Sequence, residues 1–191
     1  MRAQRPVVCI GASLIDITFR CEAEPILHTS NPSVMERSPG GVVRNIAHHL
    51  ALLGTPTELL TVVGEDSDGE WLIDQCRRAG IGTNHSMRSK VPTGTFASIN
   101  SPAGDLTIGA VTSETDSLLN TNFIHDRRDV IAGASLVVAD CNLSSSTLRE
   151  LIALCNGYEV PLIVETVSIP KAKRLKDALP GRLFLVKPNR E

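Results

Sequence analysis

Apolar residues run from Pro6 to a stop at Gly11, the pattern of a strand buried on both faces of a parallel sheet. The chain then turns polar through Ser13 and Asp16 before a second extended run over 17–21, so Asp16 is expected just beyond the first strand. Residues 22–37 mix polar and apolar positions around Pro25 and Pro32, which predicts a loop and an edge strand outside the main sheet. After Gly40-Gly41 an amphipathic helix is predicted from 42 to Leu53, closed by Gly54, and then a strand over 58–63 that ends at Gly64. Polar residues at 65–68 supply a cap for a helix over 70–79, which Gly80 closes.

Between 92 and 111 the period changes. Thr95-Phe96-Ala97-Ser98-Ile99, a turn at Ser101-Pro102-Ala103-Gly104-Asp105 and then Leu106-Thr107-Ile108 read as a hairpin. The rest of the chain alternates helix and strand, as a doubly wound, mostly parallel α/β sheet requires. Strands at 135–139, 161–164 and 182–186 end in Asp140-Cys141-Asn142, Glu165-Thr166-Val167-Ser168 and Lys187-Pro188-Asn189. Carboxyl ends of strands form the ligand crevice of such sheets, so these polar endings point to a binding site, although each alone is also a helix cap.

Composition narrows the ligand. The 191 residues amount to one large domain or slightly more, and a 42% hydrophobic content suffices for a core. Aromatics make up only 3%, which suits layers of aliphatic residues better than a binding barrel. A net charge of −2 without basic runs argues against nucleic acid and for a small molecule. Cys9, Cys21, Cys76, Cys141 and Cys155 form no C-x-x-C pair, and neither a signal peptide nor a long apolar span is present. Free core thiols, a cytoplasmic location, no metal held by cysteine and no membrane partner are expected.

Several residues carry two readings. Gly40 and Gly41 permit positive φ and a close backbone approach ahead of a helix N-terminus that binds an anion or hydroxyls, though a bare glycine pair is a weak signal. Asp16 is a turn residue or an acceptor of two hydrogen bonds. Asn31 either forms an Asn-Pro turn or recognises a pyrimidine-like edge. His48 and His49 point about 100° apart on a helix and cannot share a ligand sphere. The acidic stretch 65–69 lacks the later ligands of a calcium loop and is read as a cap.

The run Ser38-Pro39-Gly40-Gly41, followed by Asn45, Ala47, Gly54 and Gly64, resembles the first signature of the ribokinase-like (PfkB) sugar and nucleoside kinases. Val43 departs from it, standing where that family has a small residue. Thr29-Ser30-Asn31-Pro32, Arg44-Asn45-Ile46-Ala47, Val138-Ala139-Asp140-Cys141-Asn142-Leu143-Ser144 and Lys187-Pro188-Asn189-Arg190 are similar to the pseudouridine kinase branch, whereas Val111-Thr112-Ser113-Glu114 and Glu165-Thr166 depart from it. The resemblance implies a sugar or nucleoside substrate held by Asp16, Asn31, Gly40, Gly41 and Asn45. It further implies ATP and magnesium, with Lys187 and Asn189 on the cofactor side, and a small β lid formed by about 14–39 and 92–112 that closes over the sugar and pairs with a second copy's lid. Water excluded by that closure would otherwise compete with the sugar hydroxyl for the phosphoryl group. Such kinases are longer than this chain, and the Gly-Ala-Gly-Asp motif that brings their general base and anion hole has no counterpart in it. The sequence is therefore expected to be an incomplete kinase domain carrying substrate-binding residues and no catalytic base, inactive and poorly soluble alone. A kinase fragment for another sugar, or a non-catalytic binding domain that kept the fold, are the other readings.

Overall fold

The computed structural model describes residues 4–178 and 181–188. Its first half runs β1 (Val7–Ile10), β2 (Leu14–Cys21), β3 (Ser33–Gly40), α1 (Val42–Leu52), β4 (Thr57–Leu60), β5 (Val62–Gly64), α2 (Ser67–Arg78), β6 (Met87–Ser89), β7 (Gly94–Asn100) and β8 (Leu106–Thr112). After a 3₁₀ turn over Glu114–Leu118 come α3 (Thr121–His125), α4 (Arg128–Ala132), β9 (Leu136–Asp140), α5 (Ser145–Gly157), β10 (Leu162–Glu165), α6 (Ile169–Ala178) and β11 (Leu185–Lys187).

Five parallel strands form the main sheet in the order β11-β10-β9-β1-β4. Along β1 successive side chains enter opposite cores, as the two-residue period of a strand demands. Val8 and Ile10 join Val137, Ala139, Leu148, Leu151 and Leu162 on the face covered by the later helices. Val7 and Cys9 join Val43, Ala47, Leu59, Leu72 and Ile73 on the face covered by α1 and α2. With both faces covered, β1 has no polar side, which explains its unbroken apolar run.

A second sheet, β3-β2-β7-β8, stands beside the first. It comprises the two segments expected to form a lid. Its strands pair antiparallel except for β2 with β7. Asp66 anchors it: the carboxylate accepts from Thr93 N at 2.7 Å, Thr93 Oγ1 at 2.6 Å and Gly69 N at 2.7 Å, tying the start of β7 to the start of α2. Burial raises the Asp66 pKa, and these bonds together more than reverse that, holding it below its ordinary value. The acidic stretch is thus a helix cap, as expected, and the cap starts α2 at Ser67, earlier than the pattern predicted.

Other boundaries differ from expectation as well, among them a last strand that begins at Leu185 and not at 182. Asp16 lies inside β2 rather than between strands, because β2 begins at Leu14 to pair with Gly40 and Gly94. The single strand expected over 58–63 is two, broken at buried Thr61, since Val62 and Val63 leave the main sheet to pair with Met87 and Arg88. All five cysteines are free and buried. Burial pushes the Cys9 and Cys155 thiols up to about 12, so they pack as neutral apolar groups. No helix among the described residues is long and apolar enough to cross a membrane.

Ile10 is fully buried in β1, whereas Leu53 is 81% exposed. Ile10→Ala is expected to cost about 2–5 kcal/mol in chemical denaturation, and Leu53→Ala to change stability by no more than about 0.5 kcal/mol.

Candidate functional site

Above the carboxyl ends of β1, β9 and β10 lies a cavity of about 390 Å³, within the range of small-molecule sites. The chain steps from β1 to β4 on one side and later places β9 on the other, so the cavity sits where the strand order reverses. Ala12, Leu14 and Asp16 line it from β1 and β2, Gly41, Val42 and Asn45 from the start of α1, and Phe96 and Val111 from the second sheet. Ser113, Asp116, Asn142, Val167 and Lys171 complete the wall.

The two glycines do different work. Gly41 is the N-cap of α1 with φ 104°, and a Cβ there would lie 2.3 Å from the Ala12 carbonyl oxygen. It takes the left-handed backbone that the sequence suggested. Gly40 does not: it ends β3, and a Cβ there would stand 2.3 Å from Asp16 Oδ1. Its missing side chain makes room for that carboxylate, and Gly40 itself does not line the cavity. No side chain caps α1, so its first N–H groups face the same end of the sheet.

Asp16 is half-buried; burial raises its pKa and the Arg44 guanidinium pulls it back. Asp116 is raised by burial likewise, opposed by Lys171, Ser113 and Arg174. Asn31 is not brought to this cavity. Its Oδ1 accepts from Ile26 N at 2.8 Å and its Nδ2 donates to the Ile26 carbonyl at 3.0 Å, closing a turn in the 22–32 loop; the side chain faces Phe19 and Ile99 instead. The turn reading describes this conformation because both amide groups are spent locally. Lys187 Nζ lies 3.3 Å from Glu165 Oε1, and Glu165 Oε2 accepts from Val167 N at 2.6 Å, so buried Glu165 links two strand ends to the cavity wall. Asn189 lies outside the described residues.

Asn142, Lys171, Asp116 and Phe96 were missed as individual site residues. Asn142 had a signal in its polar strand ending, and Phe96 in the hairpin expected to close over the sugar. Lys171 Nζ donates to Asn142 Oδ1, and Arg174 donates to the Cys141 and Asn142 carbonyls at 3.0 and 2.8 Å, so the first turns of α6 hold the end of β9. Beneath them Asp140 is fully buried and accepts from Asn142 N at 2.9 Å. Burial pushes Asp140 up to about 7, against the pull of the Asn142 and Val43 N–H groups.

Of the two residues expected on the cofactor side, Lys187 pairs with Glu165 at a strand end, and Asn189 is not among the described residues. Among them no cluster of three or more His, Cys, Asp or Glu side chains fits a metal.

The profile of the pfkB family carbohydrate kinases matches residues 4–191. An uncharacterized sugar kinase of Escherichia coli (strain K12) is 35% identical over 188 residues, covering 97% of this chain and 51% of its own length. A pseudouridine kinase of the same organism is 32% identical over 193 residues, covering 100% of this chain and 60% of its own length. A ribokinase of Arabidopsis thaliana, solved with ribose and ATP, superposes with a TM-score of 0.80 at 19% identity, over 97% of this chain and 60% of that one. The chain thus spans about half to three-fifths of the length of the curated relatives it matches.

Asp140 gives a pH test. Its folded pKa, about 7, lies above the ordinary value of 3.8, so the folded state holds the proton more tightly. Its stabilisation is complete below pH 3.8 and is lost as pH rises through about 7. Asp140→Asn mimics the neutral acid. Thermal melts from pH 4 to 8 are expected to fall less steeply in the variant than in the parent, the gap approaching roughly 4 kcal/mol at most; parallel curves would show Asp140 ionised throughout.

Proposed function

The chain belongs to the pfkB family of carbohydrate kinases, and from that premise we propose that it is the substrate-binding part of an ATP-dependent kinase acting on the ribose 5′-hydroxyl of a nucleoside, pseudouridine foremost. The observation that carries this reading is the convergence of Asp16, Gly41, Asn45, Asn142 and Lys171 on one cavity at the reversal of strand order. A carboxylate accepts from two hydroxyls at once, and Asn45 at the start of α1 donates to them, which matches a ribose rather than an apolar ligand. Phe96 supplies an aromatic wall for a base, while Asn142 and Lys171 offer polar groups for its edge. The 32% identity to a pseudouridine kinase supports the nucleoside; the 35% identity to a sugar kinase supports a second reading, a free sugar.

In this mechanism the second sheet lies over the substrate through Leu14, Phe96 and Val111 and excludes water. Bound ATP supplies the phosphoryl group. On the outer face of that sheet Met35, Phe19, Ile99 and Ile108 form one cross-strand row, 57%, 38%, 37% and 57% exposed, on which a second copy's lid would pair.

Calorimetry with pseudouridine, uridine and ribose, with and without ATP and magnesium, separates the readings. Pseudouridine is expected to bind best, and Asp16→Asn to weaken it by about 1–3 kcal/mol. Unchanged affinity in a folded variant would remove Asp16 from the site.

Phosphoryl transfer depends on positioning and charge neutralisation, and the chain contains no Gly-Ala-Gly-Asp segment to bring a base and an anion hole. A coupled ADP-release assay on the 191-residue chain is expected to stay at background. Turnover of about 1–100 per second that Asp16→Ala abolishes would contradict that expectation.

A further inference from the structure

Arg44 occupies the first turn of α1 and is only 5% exposed, yet it forms no ion pair with any described residue. Its Nε is buried without a partner. One NH donates to the Pro39 carbonyl at 3.2 Å and to Asn45 Oδ1 at 2.8 Å. A buried guanidinium with no direct ion pair costs stability, and an apolar residue of similar volume would avoid that cost. The fold keeps it at the point where β3, α1 and the cavity meet.

Its two effects both reach the cavity. Arginine carries donors only, so the Asn45 atom it contacts is the oxygen, and the Asn45 amide nitrogen is left to donate into the cavity that Asn45 lines. The same charge acts on Asp16 in β2, where it opposes the upward pull that burial exerts on that carboxyl. His48 on the same helix and Cys76 on α2 are the other titratable groups it acts on, and it disfavours the imidazolium of the first and favours the thiolate of the second.

We propose that Arg44 is a positioning residue of this pocket: it orients the Asn45 amide as a donor beside the Asp16 carboxylate, so the two present a matched donor and acceptor to neighbouring ligand hydroxyls. The proposal rests on the reading of Asp16 and Asn45 as the hydroxyl-binding pair. It adds the residue that fixes the polarity of Asn45 without touching the ligand.

Two variants separate charge from geometry. Arg44→Gln keeps a planar donor for Asn45 and loses the charge; Arg44→Lys keeps the charge and loses the planar fork. Carbon-13 NMR of the Asp16 carboxyl in the ligand-free chain is the first readout. The Asp16 midpoint is expected to move to higher pH in Arg44→Gln and to stay with the parent in Arg44→Lys. The second is the Asn45 side-chain amide signal, expected to broaden or shift in Arg44→Lys and to hold in Arg44→Gln. Pseudouridine affinity is expected to drop at least about tenfold in each, at neutral pH for Arg44→Lys and increasingly below it for Arg44→Gln. An Asn45 amide unmoved by Arg44→Lys overturns the proposal, and an Asp16 midpoint unmoved by Arg44→Gln removes the charge effect on Asp16 from it. If the parent binds no pseudouridine, the substrate reading fails while the ligand-free Asn45 signal still decides the proposal. If Arg44→Lys does not fold, an Asn45 amide displaced in Arg44→Gln, which keeps the planar donor, overturns it instead.

Discussion

The constraint that shapes this site is the room Gly40 leaves for the Asp16 carboxylate. β2 and β3 pair in a register that sets Leu14 opposite Gly40 and Asp16 opposite Ser38, so the carboxylate lies over a residue without a side chain. One residue later Gly41 turns with φ 104° against Ala12 and starts α1. Any side chain at 40 would displace Asp16, and any at 41 would push α1 off the end of β1. The second sheet, the helix that donates to the cavity and the main parallel sheet thus meet at two adjacent glycines, and a one-residue slip of β3 would lose all three.

Much of this was legible because the period of the pattern reports burial. β1, β9 and β10 are covered on both faces and read as apolar runs; β7 and β8 are covered on one face or neither and read as a hairpin. The strand endings were legible for the same reason, since polarity appears where the chain leaves the core. Boundaries were harder. Nothing in 58–63 shows that Val62 changes partner from the main sheet to Met87, because both environments are equally apolar. The start of α2 depended on which of several acidic residues caps it, and that choice was made by Thr93, far along the chain.

The site was legible where function needs an unusual backbone and obscure where it needs an ordinary side chain. Gly40, Gly41, Asp16 and Asn45 stand out as a spaced set, and three of them line the cavity while Gly40 supports one of the three. Lys171 is one of several basic residues on α6 and nothing nearby in sequence distinguishes it. Arg44 would be read as a solvated helix residue; only the fold shows it inside, on the face with Val43 and Ala47. Asn31 was open to both readings in sequence, since a residue able to read a base edge is equally able to close its own loop, and here it bonds Ile26.

The central claim is that ligand is held where the strand order reverses, by the start of α1 and the ends of β9 and β10. Amide chemical-shift mapping of the chain on addition of pseudouridine tests this most directly. Saturable shifts are expected at Gly41, Asn45, Asn142 and Lys171, and at Phe96 as the second sheet closes. Shifts confined instead to the other large cavity, around Cys155, Asn156 and Phe184, would contradict it.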